Sequence, residues 1–95
     1  MPRFLAIHPV AFPEEQLKQL SKETLPAGMV WESTYCAYSE NRSICHWEAP
    51  DREAVTSLLA KYQIPYEDVL EVRRFDPMAG ELEPEPAKEK VLQPA

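Results

Sequence analysis

The feature that most constrains the fold is the order of six patterned segments in residues 1–76. Strands are expected where short apolar blocks occur or polar and apolar residues alternate, at residues 3–9, 29–38, 42–48 and 69–75. Helices are expected where apolar residues recur at helical spacing, at residues 13–23 and from Asp51 to Ile64. The order β-α-β-β-α-β predicts an α+β, ferredoxin-like fold with a four-stranded antiparallel sheet and both helices on one face. The first and last strands are expected side by side, with the third strand on the other side of the first.

The two middle strands are predicted to form a β-hairpin that turns at residues 39–42. A two-residue loop at the tip would place Tyr35 opposite His46 and Cys36 opposite Cys45, and a loop one residue longer would break these pairs. The two cysteines are expected to be reduced and buried, because a disulfide is rare in an intracellular protein.

Residues 77–95 differ in composition from the rest of the chain. They hold four of the 10 prolines, no aromatic residue and more acidic than basic side chains. Such a segment cannot bury enough apolar area to offset the entropy lost on ordering. We therefore predict an acidic, proline-rich disordered tail after a domain at residues 1–76. An alternative is that the tail docks on a partner through Val91 and Leu92.

One face of the predicted sheet has no helix to cover it. Phe4 is expected on this face together with Trp31 and Tyr35 from the hairpin. An uncovered apolar face of this size indicates an interface or a pocket. Because the domain is small and buries little core, we predict a homodimer in which two such faces meet, as in dimeric α+β barrels.

The charge balance excludes some classes of partner. The chain has 16 acidic and 10 basic residues, a formal net charge of −6, whereas nucleic-acid binding needs a basic face. The same balance argues against docking on an anionic membrane surface. The chain has no apolar run long enough for a membrane helix, and Met1–Phe4 lacks the features of a signal peptide. A cytoplasmic protein is therefore expected.

Two histidines, a glutamate and a cysteine are the candidate metal ligands. His8 ends the first strand, and His46 lies on the third strand, its predicted neighbour. Glu48 shares a strand face with His46, and Cys45 is a further candidate. Imidazoles and a carboxylate suit nickel or another divalent transition metal. The alternative is that one histidine is buried and hydrogen-bonded and the other is a solvated surface residue.

Several stretches resemble a family of small proteins of largely uncharacterised function, some of which are called nickel-binding proteins. The matching stretches are residues 1–8, Trp31 with Tyr35, Cys45–Val55 (CHWEAPDREAV), and Ile64–Val69 followed by Val72. The resemblance covers most of residues 1–76. It implies a ferredoxin-like subunit, commonly dimeric, with nickel as a candidate ligand.

The resemblance also identifies where this chain departs from the nickel-associated members. His8 falls where those members have a strand histidine. Ala6, Leu59 and Ile64 stand where they tend to have an aspartate and two histidines, and His46 stands where the family usually has an apolar residue. A metal site in this chain would therefore use different ligands.

Two classes of function remain open on the sequence alone. The first is a non-enzymatic dimer that binds a divalent metal or a small ligand. The second is a small enzyme of the isomerase or monooxygenase type, with a pocket on the uncovered sheet face and His8 as its acid–base group. This second class rests on fold analogy. The sequence contains no glycine-rich phosphate loop and no nucleophile elbow.

Overall fold

A computed structural model describes residues 1–85 of the chain. The elements are β1 (Arg3–His8), α1 (Glu14–Ser21), β2 (Val30–Ala37), β3 (Arg42–Glu48), α2 (Arg52–Lys61), β4 (Asp68–Val72), β5 (Phe75–Asp76) and β6 (Glu81–Leu82). The suggested docking arm at Val91 and Leu92 lies outside the described residues.

Strands β1 to β4 form one antiparallel sheet in the order β2-β3-β1-β4. Both predicted neighbour relations are confirmed, because β1 pairs with β4 on one side and with β3 on the other. At the centre of the sheet, Leu5 lies opposite His46 of β3 and Leu70 of β4. Side chains opposite each other in a ladder share a face, so this register decides which residues meet.

The face of the sheet that carries Phe4, Ala6 and His8 is covered by the helices, and we call it the inner face. Phe4 is 1% exposed and packs in one core cluster with residues of α2 such as Val55 and Leu59. The prediction that Phe4 lies on the uncovered face is therefore wrong. Both sides of β1 are apolar, so its pattern separates two sets of residues without showing which set the helices cover.

The two helices differ in how firmly they are held. Helix α2 begins after Asp51, whose side chain accepts a hydrogen bond from the Ala54 backbone N–H at 2.8 Å, and it buries three residues. Helix α1 begins after Pro13 and buries none of its residues, although Leu17 and Leu20 are half-buried. Within residues 1–85, no helix has the length and apolarity needed to cross a membrane.

The β2–β3 hairpin has a different register from the predicted one. Four residues, 38–41, connect the strands, and the loop closes at Asn41 in the left-handed region (φ 54°), which asparagine tolerates. Tyr35 consequently lies opposite Ile44, and Cys36 lies opposite Ser43. A bulge at Glu32 shifts the pairing between residues 31 and 33.

The beginning of the predicted disordered tail is ordered. Strands β5 and β6 pair as a short hairpin across residues 75–82. Its turn is stabilised by Asp76, whose side chain accepts from the Met78 N–H at 3.0 Å, and by Gly80, which has a positive φ of 68°. Local turn chemistry thus orders a segment that composition alone predicted to be disordered.

Candidate functional site

The four predicted metal ligands are divided between the two faces of the sheet. His8 and Cys45 lie on the inner face, because His8 is opposite Ser43 and neighbouring strand positions alternate. His46 and Glu48 lie on the other face, which we call the open face. His8 and His46, which the adjacent strands β1 and β3 could have brought close together, therefore lie on opposite faces of the sheet.

His8 is completely buried at the end of β1. Its Nδ1 lies 2.7 Å from the carbonyl oxygen of Pro65, which can only accept a hydrogen bond, so Nδ1 carries the proton. Its ring packs edge-on against Phe12 at 5.1 Å between centroids. Burial lowers the pKa of His8, and the bond to Pro65 opposes this effect in part. Nε2 of the neutral ring therefore carries a lone pair, and it has no hydrogen-bond partner among the described residues.

His8 lines a cavity between the helices and the inner face, which we call the His8 cavity. Its walls come from α1, α2, the sheet and the connecting segments, and they are almost entirely apolar: His8, Phe12, Leu17, Leu20, Glu23, Leu25, Trp31, Cys45, Trp47, Leu58, Leu59, Tyr62 and Ile64. The space between the walls is about 450 Å³, including solvent at the mouth. The enzyme hypothesis placed His8 in a pocket on the open face, but its cavity lies on the inner face.

Two tryptophans form the sheet side of the His8 cavity. Trp31 stacks on Trp47 with ring centroids 5.8 Å apart, and Trp31 Nε1 donates to Thr34 Oγ1 at 2.8 Å. Thr34 in turn donates to Cys45 Sγ at 3.0 Å. Trp47 Nε1 is buried without a partner among residues 1–85. Tyr35, predicted to share a pocket or interface with Phe4 and Trp31, lies on the open face and is 65% exposed.

The Cys45 thiol is unsuited to act as a metal ligand or a nucleophile. Burial raises its pKa to about 11, although the hydrogen bond from Thr34 opposes the shift. The side chain is therefore a neutral thiol near pH 7, whereas metal binding and nucleophilic attack both need the thiolate. Cys45 and Cys36 are not joined in a disulfide, and Cys36, which was also expected to be buried, is only half-buried.

On the open face, one arginine holds together several polar residues, and we call this group the Arg3 cluster. Arg3 donates from Nη1 to His46 Nε2 at 2.8 Å and lies 3.6 Å from a Glu48 oxygen. Its Nε and Nη2 also pair with the Glu83 carboxylate just beyond β6. Hydrogen bonds from Arg3 and from the Arg74 backbone hold the pKa of Glu83 at about 2.

The Arg3 cluster contains donor types that transition metals accept, but a guanidinium group lies among them. The lone pair on Nε2 of His46 is used by Arg3, and both nearby carboxylates already face a positive charge. In the part of the chain that the structure describes, no three His, Cys, Asp or Glu side chains are arranged to hold a metal ion. The residues of one subunit therefore do not fit a nickel ion in this arrangement.

Two residues that shape these sites, Arg3 and Glu83, were not identified from the sequence. Arg3 alternates with Leu5 and Ile7, so strand periodicity could have placed it on their face. Glu83 carries no such signal, because its position depends on a hairpin that composition did not predict.

Comparison with known proteins identifies the family. The profile that matches the chain is described as "Nickel responsive protein SCO4226-like", and it covers residues 5–72. No curated protein and no solved structure matches the chain. The match extends from within β1 to the end of β4, and it confirms the resemblance found in the sequence. The chain belongs to the SCO4226-like family of nickel responsive proteins.

Proposed function

We propose that this protein is a homodimeric binding protein, built from ferredoxin-like subunits whose open faces pack against each other. The observation that carries the proposal is the apolar centre of the open face. Leu5, Ile7 and Ile44 are half-buried there, while Leu70 is 44% and Tyr35 65% exposed. Apolar surface grouped on one sheet face favours burial against another surface.

A second copy of the chain suits this face better than a strongly acidic or strongly basic partner. One ion pair lies at each end of the apolar centre, Arg3 with Glu48 at one end and Arg42 with Glu67 at the other, so neither end carries an excess of one charge. Two copies related by a twofold axis can therefore approach without a net excess of like charge. The small core of a domain of this size gains stability from such burial.

Replacing Leu70 with glutamate is expected to convert the dimer into a monomer. The substitution places a charge in the apolar centre, where dimerisation would bury it without a partner. Light scattering should give the wild type about twice the subunit mass of 10.9 kDa and the variant one subunit mass. Leu70 is 44% exposed in the subunit, so its replacement leaves the core intact.

The matched control is Gln16→Glu, which adds the same charge on the exposed side of α1 and should remain dimeric. A monomeric wild type at micromolar concentration, or a Leu70→Glu variant that stays dimeric, would contradict the proposed interface.

We further propose that Arg3 takes the position of a metal ion, so that the free subunit binds nickel weakly. The family is described as nickel responsive, and His46, Glu48 and Glu83 surround the Arg3 guanidinium on the open face. Imidazole nitrogen and carboxylate oxygen are both ligands for nickel. A fixed positive charge among them opposes a divalent cation.

The variant Arg3→Met should bind nickel at least tenfold more tightly than the wild type in calorimetric titrations. Methionine keeps most of the length of the side chain but removes the charge and frees Nε2 of His46. The double variant Arg3→Met/His46→Gln should lose this gain. Equal affinity of the wild type and Arg3→Met, or a gain that survives removal of His46, would show that the Arg3 cluster has no part in nickel binding.

A further inference from the structure

Two of the residues that line the His8 cavity, His8 and Trp47, each have a buried polar atom whose hydrogen-bonding capacity is unused. His8 is 0% exposed and Trp47 is 5% exposed, yet His8 Nε2 and Trp47 Nε1 have no partner among residues 1–85. Buried polar groups in folded proteins are normally paired, and an unpaired one requires an explanation. Nε2 can accept a hydrogen bond and the indole N–H can donate one.

The walls of the cavity define what could satisfy these atoms. Apolar and aromatic side chains make up most of the lining, with a single carboxylate from Glu23. The Cys45 thiol is neutral, and the His8 ring is neutral near pH 7. An anionic ligand would lose its hydration here without gaining a counter-charge, because the one carboxylate in the lining, from Glu23, has the same sign of charge. An uncharged ligand with an apolar body avoids this cost.

We propose that the His8 cavity binds a small neutral molecule that has an apolar, ring-sized body and a hydroxyl group donating to His8 Nε2. The Trp47 N–H is a separate donor in the same lining, because Trp47 lies opposite Phe4, four residues along β1 from His8. This site is independent of the open face, and the proposal holds whether or not the chain forms a dimer or binds nickel.

Helix α1 is the wall of the cavity that is expected to move outward when the ligand binds. The space inside the cavity has room for only about two water molecules. A ring therefore enters only if one wall moves outward. Helix α1 buries none of its residues and faces the cavity through Leu17 and Leu20, so its displacement disrupts little packing.

The fluorescence of the two tryptophans reports directly on the cavity. The chain contains only two, Trp31 and Trp47, and both line this space. The wild type is titrated with phenol and with anisole, a similar ring whose oxygen has no proton to donate, with excitation at a wavelength that neither absorbs. Phenol is expected to give a saturable change and to bind at least tenfold more tightly than anisole. Equal affinities, or no saturable change up to the solubility of phenol, would overturn the proposal.

Two variants locate the binding. Leu17→Phe fills the cavity from α1, leaves the His8 residue itself unchanged, and should abolish the response to phenol. Gln16→Phe, which adds the same ring on the exposed side of the helix, should leave it unchanged. Circular dichroism is used to check that both variants are folded. A response to phenol that persists in Leu17→Phe would place binding elsewhere and overturn the assignment.

Discussion

Replacing Phe4 with alanine is expected to lower the free energy of unfolding by about 3–5 kcal/mol. Phe4 is 1% exposed at the centre of the inner face, so truncation removes a large apolar side chain and leaves a cavity in the core cluster. Small domains have a total stability of about 5–15 kcal/mol, so the loss is a large part of the whole. Urea unfolding with linear extrapolation measures it. The milder variant Phe4→Leu, with an expected cost of about 1–2 kcal/mol, gives a result even if the alanine variant is unfolded.

The neighbouring residue provides the matched control. Leu5 is next to Phe4 in the same strand, but it lies on the open face and is only half-buried. Leu5→Ala should therefore cost much less in the isolated subunit, and its cost should grow with protein concentration if the open face joins two subunits. The cost of Phe4→Ala should be independent of protein concentration. Similar costs for both variants in dilute protein would contradict the assignment of the two faces.

The strand order followed from the sequence because local patterns determine it. Each segment carried its own periodicity, and right-handed connections leave few arrangements for a β-α-β-β-α-β chain. The sequence did not show which face of the sheet the helices cover. In β1, Phe4 alternates with Leu5 and His8 with Ile7, so both faces look like core. Contacts made by residues distant in the sequence decide which face the helices cover.

The candidate site was less predictable because it depends on register. A bulge at Glu32 and a four-residue loop determine the pairing of β2 with β3, and neither has a strong sequence signal. The placement of His8 and His46 on opposite faces has a different cause, the pairing of β1 with β3. His8 lies opposite Ser43, and His46 is three residues further along β3, so the alternation of side chains puts it on the other face. The sequence placed His46 and Glu48 on one strand face, but it could not show that Arg3 donates a hydrogen bond to Nε2 of His46.

The stability of the protein should fall as the pH decreases below about 6.5, because of His8. Burial lowers the pKa of His8 in the folded state, so the unfolded chain takes up a proton that the folded chain does not. The contribution of neutral His8 to stability is complete above the unfolded pKa. It decreases as the pH falls from that value toward the folded pKa, with a slope of at most about 1.4 kcal/mol per pH unit. Denaturant unfolding between about pH 8 and pH 5 measures this slope.

Variants at the titrating groups separate the contribution of His8 from the others. His8→Gln retains an N–H donor for the Pro65 carbonyl but does not titrate in this range, so the slope due to His8 should disappear. His46→Gln and Glu23→Gln, which remove the other histidine and the carboxylate of the cavity, should retain it. Glu83 does not interfere, because its pKa is lowered to about 2 and its contribution is lost only as the pH falls from about 4.5 toward that value. The opposite result would be a His8→Gln stability profile that matches the wild-type profile. The buried imidazole would then take up a proton as readily in the folded chain as in the unfolded chain. In that case His8 could not be the neutral hydrogen-bond acceptor that the proposed ligand site requires.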